Sequence, residues 1–545
     1  MAKIPVTSNV FVDTALNWQY PPFSEEKGME RVIAFGDHSH KCPVYVRQLP
    51  PCTGACPAGN DIRAWLTAIQ LIERRVTSGR ESCELIWHTA SRTTPFPATC
   101  GRICPAPCEN ACNREKKDGQ PVNISAFERR LGDYGIEHGL EHRMFRPPVP
   151  DKRVAIVGAG PAGLSCAFQL ARRGYPVTVY EALAEPGGML RYGIPPFRLP
   201  HAVLDAEIQA ISRLGVEIVC TTRVDTAEGL TELRGRFAAV FVGVGAHRGI
   251  ELDIPGEEAP NVLSGVAFLR RVNVGEAADI GNRVLVVGGG NTAIDCVRVA
   301  LREGAEESIL LYRRTRKEMP AEPYEVDDAE EEGVKFMFLA LPTKLITENN
   351  KIVGVEVQKM ELGEPDASGR RSPQPVPGSE YIIPCDLVIP AIGQDPDLDY
   401  LEDGDYGIKK TRWNSIVTHG GTMMTDNEGV FAGGDCEYGA MTVVVAVGHG
   451  RRAARVMHRY LTEGKVYLDE QDAMEDIINN LGAFDKEEKV GIAGGLHREH
   501  QPKVNGPERT ANYEEIELAM PESQAVREAE RCLRCYRVAM LAVNG

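Results

Sequence analysis

The sequence predicts an α/β chain in which two Rossmann-like βαβ units, the second inserted in the first, follow a helical segment rich in cysteine. Three observations carry this. Strand, glycine turn, helix and strand succeed one another from Val154 (VAIVG, AGPAGLSCAFQLARRG, YPVTVYE). The succession returns after Arg283 (VLVVGGG, NTAIDCVRVALREG, ESILLYRR), and closely spaced cysteines punctuate Pro- and Gly-rich knots between Cys52 and Cys112.

A chain of 545 residues has room for three or four domains at roughly 150 residues each. The formal net charge of -16 argues against nucleic acid or an anionic membrane as partner, since a phosphate footprint needs clustered Lys and Arg; a basic protein partner fits. The longest apolar run, Val154 to Ala171, nearly has the length of a membrane span, but Gly-Ala-Gly-Pro-Ala-Gly interrupts it and no span is expected. The N-terminus lacks the basic start and apolar stretch of a secretory signal, so the expected location is cytoplasmic. There, fifteen cysteines point to metal ligands or core thiols rather than disulfides.

In chain order, residues 1–45 carry Trp18, Tyr20, Pro21 and Pro22 without a clear period and read as an extended arm. From 46 to 150, cysteine knots alternate with helical stretches such as Asp61 to Arg75, where Ile62, Leu66, Ile69, Leu71 and Ile72 form an apolar stripe. Residues 151–280 hold the first βαβ unit and 281–385 the second. The first returns over 386–464, marked by DLVIPAIG from Asp386, GVFAGGDC from Gly429 and the helix-like TVVVAVGHGRRAARVMHRYL. A tail, 465–545, opens acidic and ends in EAERCLRCYR, a helix-like run bearing Cys532 and Cys535.

Gly158, Gly160, Pro161, Ala162 and Gly163 follow a strand and open a helix, so bare amides and the helix dipole can meet a pyrophosphate. Glu181 ends the next strand, where a ribose lies. A mere tight turn would require neither the second strand nor its acid. Gly288, Gly290, Asn291 and Thr292 repeat the context, but their second strand ends in Tyr312, Arg313 and Arg314. Arginines there suit a 2′-phosphate and favour NADPH, although Arg313, Arg314, Arg316 and Lys317 also fit a solvated basic edge, which keeps NADH open.

Two dinucleotide units, the first split by the second, describe the flavoprotein disulfide-reductase architecture, with FAD in the first and a nicotinamide coenzyme in the second. The redox dithiol of such enzymes is missing: the first helices of the two units carry only the single Cys166 and Cys296, read as core residues. Cys52-x3-Cys56, Cys104-x3-Cys108-x3-Cys112 and Cys532-x2-Cys535 offer electrons another exit. Zinc also takes four cysteines, yet so many close thiols without a nearby histidine, beside a flavin, favour iron–sulfur clusters.

The stretches CTGACPAGNDIRAWL, CGRICPAPCENAC, VNISAFERR, GAGPAGLSCAFQLARRGYPVTVYEA, PGGMLRYGIPPFRLP, GGGNTAIDCVRVALREGA with YRRTRKEMPA, and GVFAGGDC give the chain a family likeness. Over roughly 46–460, and at the C-terminal CxxC, it resembles the small subunit of glutamate synthase and its relatives. These include the large subunit of the electron-bifurcating transhydrogenase and the N-terminal part of dihydropyrimidine dehydrogenase. The resemblance implies two Rossmann-like dinucleotide-binding domains preceded by an α-helical double [4Fe–4S] domain. In relatives EAxRCLxC precedes the first cysteine knot, whereas here it lies far downstream, so the tail is expected to fold back.

By resemblance, one [4Fe–4S] cluster takes Cys532, Cys535, Cys52 and Cys112, and the other takes Cys56, Cys104, Cys108 and a non-cysteine ligand, Glu128. Read alone, Glu128 beside Arg129 and Arg130 would be a surface ion pair. Cys42, Cys83 and Cys100 match no ligand position. The resemblance also implies that Gly187, Gly188, Met189, Leu190 and Tyr192 line the flavin. Gly434 and Asp435 would meet its ribityl or pyrophosphate, and Thr442 and Val443 the pyrimidine edge.

The implied activity is NAD(P)H:acceptor oxidoreduction: hydride exchange between NAD(P)H and FAD, then single electrons through two clusters to a redox protein. Hydride passes directly between stacked rings, so no catalytic acid or base is expected. The partner would be sulfite reductase, a ferredoxin or a larger catalytic subunit, and a homodimer also fits. Within the family the likeness is greatest to the iron–sulfur flavoprotein of reverse dissimilatory sulfite reductase. A glutamate synthase small subunit or a transhydrogenase-type subunit is the alternative. A scaffold with inert clusters is disfavoured by two intact nucleotide fingerprints.

Overall fold

Prolines at helix starts and glycines at helix crossings shape the cysteine-rich segment. The computed structural model describes residues 43–48, 50–73, 79–115, 119–276, 279–365, 369–401, 405–467, 497–533, 535 and 537–542. Trp18, Tyr20, Pro21 and Pro22 of the expected arm, Cys42, and 468–496 of the tail lie outside these residues. The segment runs β1 (Pro43–Gln48), α1 (Ile62–Glu73), α2 (Gly79–Ala90), α3 (Pro97–Ile103) and α4 (Ile124–Glu137). Pro97 opens α3, where its missing N–H costs nothing, and the Asn123 side chain caps α4 by accepting the Ala126 N–H. Helices α3 and α4 cross so closely that a Cβ on Gly101 would stand 2.1 Å from Arg129 N, and one on Gly132 2.1 Å from Ala98 N.

The first nucleotide unit is built on β2 (Val154–Val157), α5 (Pro161–Arg172), β3 (Val177–Tyr180), α6 (His201–Ser212), β4 (Glu217–Val219) and β5 (Ala239–Val242). The second uses α7 (Gly265–Asn273), β6 (Arg283–Val287), α8 (Asn291–Arg302), β7 (Glu307–Tyr312), α9 (Pro323–Glu331) and β8 (Lys335–Phe338). Antiparallel strands β9 (Ala340–Glu348), β10 (Lys351–Pro365), β11 (Arg371–Pro375) and β12 (Tyr381–Pro384) lead to β13 (Leu387–Pro390). Then come β14 (Val430–Ala432), α10 (Val443–Glu463), α11 (Glu522–Glu530) and β15 (Arg537–Ala542).

All contacts in the first sheet, ordered β14-β5-β2-β3-β4, are parallel. Its central strands β2 and β5, and β14 beside them, read as unbroken apolar runs and are fully buried, whereas the edge strand β4 opens on exposed Glu217. The second sheet, also parallel, is ordered β13-β6-β7-β8. This corrects one expectation. Leu387–Pro390, read as the return of the first unit, pairs with β6 in register Leu387↔Val284 and belongs to the second sheet. Its apolar pattern suits either covered sheet; the first is rejoined at β14. Helix α7, ahead of residue 281, also buries Phe268 and Leu269 in the second unit's core.

The tail crosses the molecule before reaching the cysteine segment. Ile516 packs in the second unit's core, while Met520, Ala525 and Ala529 join Ile62, Trp65, Leu66 and Phe127 in the core of the cysteine-rich segment. Helix α11 stops at Glu530, so Cys532 and Cys535 lie beyond it rather than on it. Strand β15 pairs antiparallel with β1, from Pro43↔Ala542 to Gln48↔Arg537. Among the described residues no helix is long and apolar enough to cross a membrane.

Candidate functional site

Two short helices distribute the cysteines. Cys52 sits in Pro51–Gly54 with Cys56 one turn on, and Cys108 in Pro107–Asn110 with Cys112 one turn on. Cys52 and Cys112 line one cavity together with Cys532 and Cys535, walled by Leu66, Val122 and Ile124. Burial first, then the charges of Cys532, Cys112 and Cys535, pushes the Cys52 thiol well up. Asn113 Nδ2 donates to Cys535 Sγ at 3.3 Å, and Arg63 donates to the Cys535 carbonyl at 3.2 Å. Bare thiolates crowded out of water are unfavourable, and cationic iron reverses that balance because a coordinating thiol is deprotonated outright. The donor set fits such a group.

The other thiols meet Glu128. Burial and then the Glu128 charge push Cys56 up to about 11. Cys104 and Cys108 are also raised by burial, and both feel Cys56 and Glu128. Glu128 is 6% exposed, so the surface ion pair is overturned: its Oε1 accepts from Asn60 Nδ2 at 2.9 Å, and Thr93 holds Asn60 in turn. Burial, with the neighbouring Glu207, lifts the Glu128 carboxyl to about 8. Cys100, one turn before Cys104, feels the same charges, while Cys83 lies on α2 near Glu522 and Arg130. Among the described residues no three His, Cys, Asp or Glu converge on a single-ion site.

This second group rests on the first nucleotide unit. A Cβ on Gly448 of α10 would stand 2.3 Å from Pro57 O, and Arg451 donates to Ala58 O at 3.0 Å. Glu207 on α6 accepts the Ala98 and Thr99 N–H groups at 2.7 and 3.0 Å, seating the start of α3, whose far end delivers Cys104. Neither Asn60 nor Glu207 was identified from the sequence; Asn60 stands in a motif quoted above, but Glu207 left no local signal.

Three glycine turns from distant parts of the chain converge at the start of α5. Gly158 has φ +99°, and a Cβ there would lie 2.4 Å from Gly243 O. A Cβ on Gly188 would lie 2.8 Å from Gly160 Cα, and one on Gly434 2.8 Å from Ala162 Cβ, while one on Gly160 would come no closer than 3.9 Å, to Gly188 Cα. Pro161 and Gly163 lie in the first turn of α5. Glu181 accepts from the Ala159 N–H at 2.7 Å and the Leu183 N–H at 2.9 Å. Met189 and Leu190 open the short helix ending at Tyr192, whose hydroxyl bonds both backbone groups of Glu185. Burial pushes Asp435 up to about 6, and its Oδ1 accepts the Met441 N–H at 3.2 Å; Thr442 and Val443 start α10. The turns leave a cradle that side chains would fill, as a dinucleotide requires.

The second cradle opens on α8. A Cβ on Gly288 would lie 2.3 Å from Ala391 O, while Gly290 has nothing within 4 Å. Asn291 Oδ1 accepts the Glu322 N–H at 3.0 Å, and Gln394 donates to Thr292 Oγ1 at 3.5 Å. The basic run divides. Arg313 and Lys317 are exposed, Arg316 pairs with Asp327 and Glu330, and Arg314 is buried with its Nε donating to Arg371 O at 2.8 Å.

The family described as pyridine nucleotide-disulphide oxidoreductase matches residues 152–450, and that described as dihydropyrimidine dehydrogenase domain II, 4Fe-4S cluster, matches 36–140. The small chain of glutamate synthase [NADPH] from Azospirillum brasilense is 35% identical over 460 residues, spanning 81% of this chain and 90% of its own. The chain belongs to the glutamate synthase small-chain family of FAD and iron–sulfur oxidoreductases. A more similar family member, subunit beta of the NADPH-Fe(3+) oxidoreductase of Geobacter sulfurreducens, is 50% identical over 521 residues, 90% of this chain and 76% of its own. FprA of Mycobacterium tuberculosis, solved in complex with NADPH, shares the fold: TM-score 0.50, 19% identity, 62% of this chain and 90% of that one. As a family member, the protein is an FAD- and iron–sulfur-dependent NAD(P)H oxidoreductase.

Proposed function

We propose that the protein takes hydride from NADPH onto FAD and passes single electrons through two [4Fe–4S] clusters to a larger partner subunit. The observation that carries this reading is the division of eight candidate ligands into two groups, Cys56, Cys104, Cys108 and Glu128 on one side and Cys52, Cys112, Cys532 and Cys535 on the other. FAD would supply the conversion between two-electron and one-electron transfer. The Gly158–Gly163, Gly188 and Gly434 turns would hold its pyrophosphate, with Glu181 at the ribose, and Asp435, Thr442 and Val443 further along. Gly288, Gly290, Asn291 and Thr292 would hold the coenzyme phosphates.

The contact of α10 with Pro57 and Ala58 favours the Glu128 group as the flavin-side cluster. The group that includes the tail cysteines is then the exit side. Exposed Arg313 and the NADPH named for both relatives favour NADPH over NADH; buried Arg314 is not assigned to the 2′-phosphate. Those relatives are named as a subunit and a small chain, which favours a larger catalytic partner; neither name supports the expected link to sulfite reductase. Anaerobically purified protein should carry about eight iron and one FAD. Cys532→Ser should lower iron to about four and leave FAD bound. Stoichiometric zinc with almost no iron would refute the cluster reading, and eight iron retained in Cys532→Ser would refute the ligand set.

A further inference from the structure

Between the two nucleotide units lies a charge network that the second unit cannot neutralise alone. It contributes Asp295, Arg298 and Arg302 from α8, Glu325 from α9, and Glu332 just past α9, all with side chains at most 6% exposed. Arg298 bonds Glu325 at 2.6 Å and Glu332 at 2.8 Å, and Arg302 bonds Glu332 at 2.7 Å. Three carboxylates thus face two guanidiniums. The third guanidinium comes from the first unit. Arg198 Nη1 donates to both Asp295 oxygens at 2.9 and 2.8 Å, and its Nη2 pairs with Glu325 at 2.7 Å.

The neighbouring residue adds a second contact between the units. The Arg302 guanidinium lies 3.8 Å from the Phe197 ring centre, and the Phe197 carbonyl accepts the Ile516 N–H of the tail at 3.2 Å. The same loop carries Ile194, whose carbonyl accepts from Asn273 of α7 at 3.1 Å. It begins at the end of the helix bearing Tyr192, and Asp295 lies one turn into α8 from Asn291. One short stretch therefore joins the wall assigned to the flavin to the helix that opens on the coenzyme turn. A planar guanidinium whose two Nη atoms reach two different carboxylates fixes orientation as well as distance, and without Arg198 the buried network would carry an unmatched negative charge.

We propose that Arg198 is a positioning residue for hydride transfer: inserted between Asp295 and Glu325, it sets the nicotinamide-binding unit on the flavin-binding unit, and so the approach of the two rings. This rests on the coenzyme assignments made above. In the full chain loaded with FAD and iron, Arg198→Met should leave cofactor content and the NADP+ dissociation constant unchanged. Single-turnover bleaching of the flavin by NADPH should slow by about tenfold or more. Arg198→Lys, which keeps the charge but loses the fork, should recover part of the rate. Hydrogen–deuterium exchange of the coenzyme-free protein supplies a readout independent of turnover: faster exchange in α8 and α9 of Arg198→Met, with β2 and β5 unchanged.

Asp295→Asn should reproduce both effects, and the double variant should be no worse than the more impaired single one. Wild-type bleaching in Arg198→Met, or additive losses in the double variant, overturns the proposal. Should Arg198→Met fail to fold, Asp295→Asn decides by the same rate and exchange criteria. Absence of bleaching in the wild type would strike at the coenzyme assignment instead, leaving the exchange measurement to judge the network.

Discussion

The Asn123 backbone N–H donates to Glu528 Oε1 at 2.9 Å across 405 residues of sequence, tying the cap of α4 to the tail helix. Glu528 has no exposed surface and also accepts from the Glu499 N–H at 2.7 Å and from Arg531 at 2.6 Å. Its removal takes a carboxylate away from the buried Arg531 guanidinium, which keeps the Gln120 and Pro121 carbonyls, and deprives the Asn123 and Glu499 N–H groups of that acceptor, a loss of about 1–3 kcal/mol. Glu528→Ala is therefore expected to lower the denaturant midpoint and to release about half of the iron while FAD stays, as urea titration and an iron assay would check.

Gly188 offers a test confined to the flavin cradle. Its φ of +55° and the 2.8 Å approach of a hypothetical Cβ to Gly160 Cα make Gly188→Ala strained by about 1–3 kcal/mol at the turn itself. FAD occupancy should fall in proportion, read from the flavin-to-protein absorbance ratio, while iron content holds. Full FAD occupancy in the variant would remove Gly188 from the cradle.

Arg313 and Arg314 should separate cleanly. A charge-assisted bond to a phosphate is worth about 1.5–3 kcal/mol, so Arg313→Ala should raise the KM for NADPH by about tenfold or more and leave that for NADH alone. Arg314 is buried on the Arg371 carbonyl, so Arg314→Ala should cost stability and leave the coenzyme preference where it was. Steady-state kinetics with both coenzymes would show whether the roles are reversed.

Glu207 makes stability depend on pH. Burial pushes its carboxyl up to about 7, against the pull of the Ala98 and Thr99 amides. Folding thus favours the protonated form: that contribution is full below the ordinary value of 4.5 and is lost as pH rises through about 7. Glu207→Gln does not titrate. The stability of the wild type relative to Glu207→Gln should therefore decline by roughly 2–3 kcal/mol between about pH 5 and pH 8, as urea unfolding at each pH would measure.

Much of the architecture was legible because its signals are local. The glycine turns, their flanking apolar strands and the paired cysteines each fit within a few residues, and the tail's return followed from a motif displaced along the chain. The assignment of Leu387–Pro390 failed because four apolar residues satisfy any covered parallel sheet, and only pairing with β6 decides which. The division of the basic run into exposed Arg313 and buried Arg314 depends on β11, which lies more than fifty residues further on. Glu207 and Arg198 escaped for the same reason: an acid or a base in a helix or loop reads as solvated until its distant partners are in place.

The cavity shared by Cys52, Cys112, Cys532 and Cys535 also fixes an order of events at the ribosome. Cys52 and Cys112 emerge more than four hundred residues before Cys532, and at 5–20 residues per second that interval lasts roughly twenty seconds or more. During that time half of the thiol ring is exposed without its counterpart. The four-thiol ring can be completed only late in synthesis or after it, whereas the Glu128 group, whose members all lie within the first 128 residues, has its side chains available early.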